Sequence, residues 1–202
     1  MSRYELAQLN IGVLKGPLDS PPLADFVANL DRINALAESS PGFVWRLQTS
    51  EGDATALRPL GDDTLINMSV WKDIAALRNY VYRSAHTEVM RRRKEWFEQM
   101  SQAYMVLWWV PKGHQPSIQE AIAKLELLRR LGPSPEAFSF RQAYLAPDAR
   151  DSRGSDIQDG PVPQAQNGQA VGVFPGGTLG LRDGGTHGLQ EGPFDISGEC
   201  PA

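Results

Sequence analysis

The 202-residue sequence predicts an α+β fold, in which helices cover one face of an antiparallel sheet. Two kinds of pattern and their order support this prediction. Four segments alternate apolar and polar residues with the period of a strand, and other segments repeat apolar residues with the period of a helix. Along the chain the order is strand, helix, strand, strand, helices, strand. This order is the split βαβ pattern of a ferredoxin-like unit.

The first predicted strand and helix have clear signals. Residues Tyr4 to Leu14 alternate, so that Gln8 and Asn10 share one face of the strand. Ser20-Pro21-Pro22 is typical of a helix start, because a proline in the first turn loses no hydrogen bond. The apolar stripe that follows predicts a packing helix, which residues 39–42 end with a Pro-Gly pair.

Two more strands are predicted at Phe43 to Gln48 and at Thr64 to Trp71, on either side of a polar loop. In the second of these strands, Asn67 shares the face of Trp71, because side chains alternate with a period of two. Asp73 is predicted to cap the next helix, since aspartate often accepts a backbone hydrogen bond at that position.

A further helix is predicted to begin at His86 and to continue to about Met100. Its apolar side carries both His86 and Arg93, which lie about 10 Å apart along the axis of such a helix. An unpaired polar group in an apolar layer costs about 1–3 kcal/mol. Because a helix that only packs would carry leucine at both positions, the two residues predict a pocket.

The remaining elements are a strand at residues 103–110, a helix and an extended segment. Ser117 and Glu120 have the spacing of a capping box for a helix that ends near Leu131. Residues 138–145 are predicted to form an edge strand or an extended arm. The domain is predicted to span residues 1–147, followed at 148–202 by an acidic, Gly/Pro-rich tail that is predicted to be disordered.

One face of the predicted sheet carries an apolar row that cannot remain exposed to water. The row consists of Leu9, Ile11, Ile66, Met68 and Val70. Pairing of two sheets is the simplest way to cover it, so the sequence predicts a homodimer.

Composition argues against several classes of protein. The net charge of −4 argues against nucleic acid as a partner. The chain has no apolar run of about 18 residues and its first residues lead straight into a strand, so a cytoplasmic protein without a membrane partner is expected. The single cysteine, Cys200, argues against an internal disulfide and a thiolate metal site, and no metal site is expected.

Polar residues of the strands are predicted to line one cavity between the sheet and the helices. Such a cavity, with aromatic walls and a few convergent polar groups, is typical of small-molecule sites. Each residue also has a purely structural interpretation, because histidine can bond a carbonyl, arginine can pair with a carboxylate and tryptophan can belong to the core. The predicted polar members are His86, Asn10, Asn67, Arg46 and Arg93, and the predicted walls are Trp71, Tyr80, Trp96 and Trp108.

Several short motifs are distinctive in combination. They are Leu9-Asn10-Ile11, Pro41-Gly42-Phe43-Val44-Trp45-Arg46-Leu47, Asn67-Met68-Ser69-Val70-Trp71, Tyr82-Arg83-Ser84-Ala85-His86, residues 91–97 and Leu107-Trp108-Trp109-Val110-Pro111. With these motifs the chain resembles an uncharacterised bacterial family, domain of unknown function 3291, over roughly Tyr4 to Phe140. That family is placed in the dimeric α+β barrel superfamily, so the resemblance implies this fold.

More distant members of that superfamily are cofactor-independent quinol monooxygenases and haem-degrading monooxygenases. The haem-degrading enzymes use an asparagine, a tryptophan and a histidine, and Asn10, Trp71 and His86 are similar to those positions. The resemblance therefore implies that these three residues are catalytic.

The leading functional prediction is a small-molecule enzyme, a cofactor-free monooxygenase or cyclase that acts on an aromatic or polyketide-like substrate. His86 would be its general acid or base, because imidazole titrates near neutral pH. Asn10 and Asn67 would stabilise an enolate or phenolate, with Trp71 stacked on the ring. Two alternatives stay open, namely a haem-binding protein with His86 as axial ligand and a non-catalytic small-molecule-binding or stress protein.

Overall fold

A computed structural model describes residues 2–83 and 90–149. Its four strands form one antiparallel sheet in the order β2-β3-β1-β4, which confirms the ferredoxin-like α+β fold. The strands are β1 (Tyr4–Val13), β2 (Phe43–Arg46), β3 (Thr64–Trp71) and β4 (Met105–Pro111). The helices are α1 (Ala24–Ser39), which follows a 3-10 turn at Pro21–Leu23, then α2 (Ile74–Arg83), α3 (Arg93–Trp96) and α4 (Ile118–Leu131).

Helix starts follow the capping residues that the sequence contains. Asp73 is the residue before α2, and its carboxylate accepts a hydrogen bond from the Ala76 backbone N–H at 2.8 Å. The Ser117 hydroxyl accepts one from the Glu120 N–H at 3.1 Å, as predicted for α4. Each bond satisfies a backbone donor that has no partner within the first helical turn.

Strand register brings polar side chains together on one face of the sheet. Asn10 on β1 lies opposite Asn67 on β3, and two residues away Gln8 lies opposite Ser69. Because side chains two residues apart point to the same side, these four form a polar row. This polar row faces the space below α1 and α2.

A bulge in β2 adds Arg46 to that row. Phe43 pairs with Trp71, but the next pair is Trp45 with Val70, so that Val44 is an extra residue. Strict alternation would place Phe43 and Arg46 on opposite faces. The extra residue shifts the alternation by one and places both on the face of Trp71.

The apolar row on the other face is covered by the chain itself. Its five side chains, Leu9, Ile11, Ile66, Met68 and Val70, are at most 4% exposed. They pack against Ala121, Leu125 and Leu128 of α4. The expectation that this face stays bare is therefore wrong, because α4 provides the cover that a second chain was expected to give. The homodimer remains a prediction, without this row as support.

The predicted helix to Met100 is wrong in its last turn. Helix α3 ends at Trp96, and Phe97 is extended and forms a bridge to Leu14. The backbone explains this ending, because the Lys15 N–H donates to the Trp96 carbonyl at 3.0 Å and the Glu98 N–H donates to the Val13 carbonyl at 2.8 Å. Pairing with the end of β1 thus replaces a further helical turn.

The segment after α4 is an extended arm. Phe138 and Leu107 exchange two backbone hydrogen bonds of 2.9 and 2.8 Å, which form an isolated bridge beside β4. Farther on, the Asp148 carboxylate accepts hydrogen bonds from the Ser2 hydroxyl and the Arg3 N–H. The described residues do not include His86, Cys200 or residues 150–202 of the predicted tail. The tail and its predicted start at residue 148 therefore stay predictions.

Within residues 2–83 and 90–149, no helix combines the length and the apolar character that crossing a bilayer requires.

Candidate small-molecule pocket

A cavity of about 200 Å³ lies between the polar face of the sheet and the helices α1 and α2. It exists because α1 covers the sheet without filling the space below. Ala37 is the single buried residue of α1, whereas Leu30 and Ile33 are half-buried above the gap. An apolar cavity of roughly 150 Å³ is enough to hold benzene. This one has room for a compound with a substituted ring.

One part of the polar row forms a connected hydrogen-bond network. The Gln8 amide N–H2 donates to the Asn67 carbonyl oxygen at 2.9 Å and to the Ser69 hydroxyl at 3.1 Å. The Trp71 indole N–H donates to the same hydroxyl at 2.8 Å. These bonds fix the side chains that form the floor of the cavity.

Two amide groups of the row still have bonding capacity. Asn67 lies on a central strand, yet its side chain is exposed because it faces the open cavity. Asn10 is half-buried on the cavity wall, and no described residue forms a hydrogen bond with its side chain. A half-buried amide needs a partner, which a ligand or water entering the cavity can provide.

Trp71 and Tyr80 form an aromatic wall of the cavity. Trp71 is fully buried, with its ring stacked on Tyr80 at 5.0 Å between centroids and edge-on to Phe43 at 5.4 Å. Burial raises the pKa of the Tyr80 hydroxyl above its ordinary value, so the phenol stays protonated at neutral pH. The hydroxyl is 3.4 Å from the Ile33 carbonyl, which links this wall to α1.

Arg93 lies at the other end of the cavity. Its guanidinium donates to the Ile11 carbonyl at 3.0 Å and lies 4.2 Å from the ring centroid of Tyr104 and 5.3 Å from that of Phe97. Burial lowers the pKa of Arg93, because desolvation disfavours the charged form, while the charge interaction with Tyr104 acts in the opposite direction. Phe97 can lie here because Gly12 has no side chain, and a Cβ atom at Gly12 would be 2.6 Å from the ring.

The structure brings most of the predicted site residues together. Those that line the cavity are Asn10, Asn67, Arg46, Trp71, Tyr80, Arg93 and Trp96. Arg46 already has a partner, since its Nε donates to the Glu38 carboxylate at 2.7 Å. His86 lies outside the described residues, so its place relative to the cavity stays a prediction.

Trp108 is not part of the cavity, and the prediction that it forms a wall is wrong. It pairs with Ala7 on β1 and therefore lies on the face that α4 covers. Its indole N–H donates to the Glu120 carboxylate at 2.9 Å, and His114 contacts the same carboxylate at 2.8 Å. Burial raises the pKa of the Glu120 carboxyl group, but these two hydrogen bonds and the charges of His114 and Lys124 together outweigh burial and lower the pKa.

Several lining residues were missed by sequence reasoning. They are Asn29 and Asn34 of α1, the loop residues Asp53 and Thr55, Tyr104, and Phe140 of the arm. Asn34 did carry a signal, because it follows Leu30 by four residues and so interrupts the apolar stripe of α1. The loop and the arm carried none, since only the folded chain brings them to the cavity.

Among the described residues, no group of three His, Cys, Asp or Glu side chains is arranged to hold a metal ion. A haem macrocycle is several times larger than benzene, and the cavity exceeds only modestly the size that benzene needs. A cavity of this volume therefore suits a ligand of one or two rings better than a haem macrocycle.

Comparison with known proteins identifies one family and several similar solved structures. The profile of domain of unknown function 3291 matches residues 5–154. No curated protein matches the chain. Similar solved structures include SnoaB, a cofactor-independent oxygenase from Streptomyces nogalater, with 17% identity over 55% of this chain and 95% of that chain and a TM-score of 0.36.

Two further solved structures have the same level of similarity. A protein of unknown function from Nitrosomonas europaea is 16% identical over 57% of this chain and 95% of its own, with a TM-score of 0.36. Rv0793 from Mycobacterium tuberculosis is 12% identical over 56% of this chain and 99% of its own, also with a TM-score of 0.36. These identities and scores are too low to transfer an activity to this chain.

Proposed function

The chain belongs to the family of domain of unknown function 3291, as its motifs indicated, and from this premise we propose that it is a small-molecule enzyme of the cofactor-free monooxygenase or cyclase type. Its substrate would be an aromatic compound that carries at least one oxygen substituent. The observation that supports this proposal best is the pair Asn10 and Asn67, which face each other across β1 and β3 on the cavity wall with bonding capacity left.

The composition of the cavity supports an aromatic ligand. Its walls combine rings, among them Trp71 and Tyr80, with amides that are fixed on strands. Amide groups on rigid elements hold their direction when a ligand binds, which suits them to a substrate oxygen whose position must be defined. A compound with one or two rings matches the volume of about 200 Å³ better than a larger polycyclic one.

The proposed chemistry needs a negative charge to develop on a substrate oxygen. Removal of a proton from a phenol or an enolisable ketone gives such an oxyanion, and N–H donors from Asn10 and Asn67 would stabilise it. His86 is the proposed base, since imidazole can accept a proton near neutral pH. Its role rests on the sequence, because the residue lies outside the described part of the chain.

Binding of 2-naphthol tests the role of the amides. Asn67→Leu and Asn10→Leu keep nearly the same side-chain size and remove one hydrogen bond each, so each should weaken the affinity by about 3- to 10-fold. Isothermal titration calorimetry measures the dissociation constants. The control is Asn79→Leu, on an exposed part of α2 away from the cavity, which should leave the affinity unchanged. Equal affinities in all four proteins would contradict the proposal.

Turnover tests the proposed base. For a phenol that the binding assay identifies, His86→Ala should lower the rate of aerobic conversion by about 100-fold, because general base catalysis contributes roughly this factor. Oxygen consumption and product chromatography measure the rate. His114→Ala is the matched control, since His114 contacts Glu120 near the opposite face of the sheet.

Two results would reject the catalytic role of His86. One is an unchanged rate in His86→Ala. The other is a phenol that raises the melting temperature without any conversion, which would favour the alternative of a binding or stress protein.

A further inference from the structure

Arg93 differs from Arg46, which also lines the cavity, in lacking an opposite charge among the described residues. Arg46 pairs with Glu38 at 2.7 Å. The Asp53 carboxylate accepts hydrogen bonds from the backbone N–H and the hydroxyl of Thr55, both at 2.7 Å. Within residues 2–83 and 90–149, no carboxylate lies at ion-pair distance from Arg93.

The hydrogen bonds of Arg93 are also incomplete. A guanidinium has five N–H donors, and among the described residues only the Ile11 carbonyl accepts one from Arg93. The rings of Tyr104 and Phe97 attract the cation but offer no hydrogen-bond acceptor in their faces. Arg93 is half-buried, so its charge is partly shielded from water and would be stabilised by an anionic partner that accepts its free N–H groups.

The position of Arg93 sets its distance from the hydrogen-bond network. The guanidinium is bonded to the carbonyl of Ile11, which is one residue from Asn10 and three residues from Gln8 along β1. Since a strand rises about 3.3 Å per residue, Gln8 and the residue that Arg93 contacts are about 10 Å apart along β1. A naphthalene-sized ring with one substituent spans such a distance.

We propose that Arg93 binds the carboxylate of the ligand, so that the cavity takes an aromatic acid whose ring lies over Asn10 and Asn67. The inference rests on the proposed function and names the substrate class. A carboxylate fits because its two oxygens match the parallel N–H groups of a guanidinium, which gives a bidentate pair. Lysine cannot form this pair, because its ammonium group is a single point of charge.

The test compares two probes of nearly equal shape, 2-naphthoate and the neutral 2-naphthamide, by isothermal titration calorimetry. In Arg93→Gln the dissociation constant of 2-naphthoate should rise by about 10-fold or more, because hydrogen bonds to a charged group are among the stronger ones. That of 2-naphthamide should stay the same. Arg92→Gln is the matched control, since Arg92 is exposed and pairs with Asp25 and Glu95. It should change neither value.

Arg93→Lys keeps the positive charge but cannot form the bidentate pair, so it distinguishes the two contributions to binding. It also replaces Arg93→Gln in the test if that variant does not fold. It should weaken 2-naphthoate and leave 2-naphthamide unchanged. The inference would be overturned if a folded Arg93 variant lost the same affinity for both probes, or if the wild type did not prefer 2-naphthoate to 2-naphthamide. Either result would leave the proposed function standing. Binding of neither probe by the wild type would count against the proposed function itself and the inference with it.

Discussion

Replacing Leu125 by Ala is expected to lower the free energy of unfolding by about 2–5 kcal/mol. Leu125 is 1% exposed and lies at the centre of the face that α4 presents to the sheet, among the residues that cover Leu9 and Met68. Removing three carbon atoms there leaves a cavity that the rigid sheet cannot close. Urea denaturation followed by circular dichroism measures the change.

Leu131→Ala is the matched control for this prediction, because it is the same substitution on the same helix. Leu131 is 67% exposed, so the change should stay within about 0.5 kcal/mol. Similar effects at both positions would show that α4 does not cover the sheet in solution. If a second chain covered the sheet instead of α4, the denaturation midpoint would also rise with protein concentration.

Replacing Trp71 by Ala is expected to lower the free energy of unfolding by about 3–5 kcal/mol. The ring is fully buried and contacts Tyr80 and Phe43, and its N–H is bonded to Ser69. The substitution therefore removes a wall of the cavity, two ring contacts and a hydrogen bond at once. Thermal and urea denaturation both measure the loss.

Trp71→Phe distinguishes a wall from a catalytic residue. Phenylalanine keeps a ring against Tyr80 and lacks the N–H group, so the substitution should lower the free energy of unfolding by only about 1–2 kcal/mol. If Trp71 acts as a wall, 2-naphthol should bind this variant with nearly the wild-type affinity. A folded Trp71→Phe protein that binds 2-naphthol normally but no longer converts the substrate would instead support the catalytic assignment.

Local patterns were enough to predict most elements of the fold. The third strand was predicted with its observed bounds, Thr64–Trp71, because its alternation is regular and its ends are marked by polar residues. The caps at Asp73 and Ser117 were confirmed, since capping depends on residues within one helical turn. Asn10 and Asn67 were predicted to share a cavity, and the register of β1 against β3 places them opposite each other on its wall.

Features that depend on distant partners were not predictable in the same way. Alternation predicts that Trp108 shares a face with Val106 and Val110 of the same strand. Only the pairing of Trp108 with Ala7 decides which face of the sheet this is. The bulge at Val44 is likewise visible only against β3. The apolar row packs against α4 residues that are more than fifty positions away in the sequence. A local pattern of apolar residues cannot predict such a contact.

The two sides of the sheet differ in how firmly their helices are held. Helix α4 buries Ala121, Leu125 and Leu128, whereas α1 buries Ala37 alone. Local opening is easiest where few apolar side chains are buried. We therefore expect α1 to separate from the sheet at a lower free energy than α4 does, so the backbone amides of α1 should exchange hydrogen with solvent faster than those of α4.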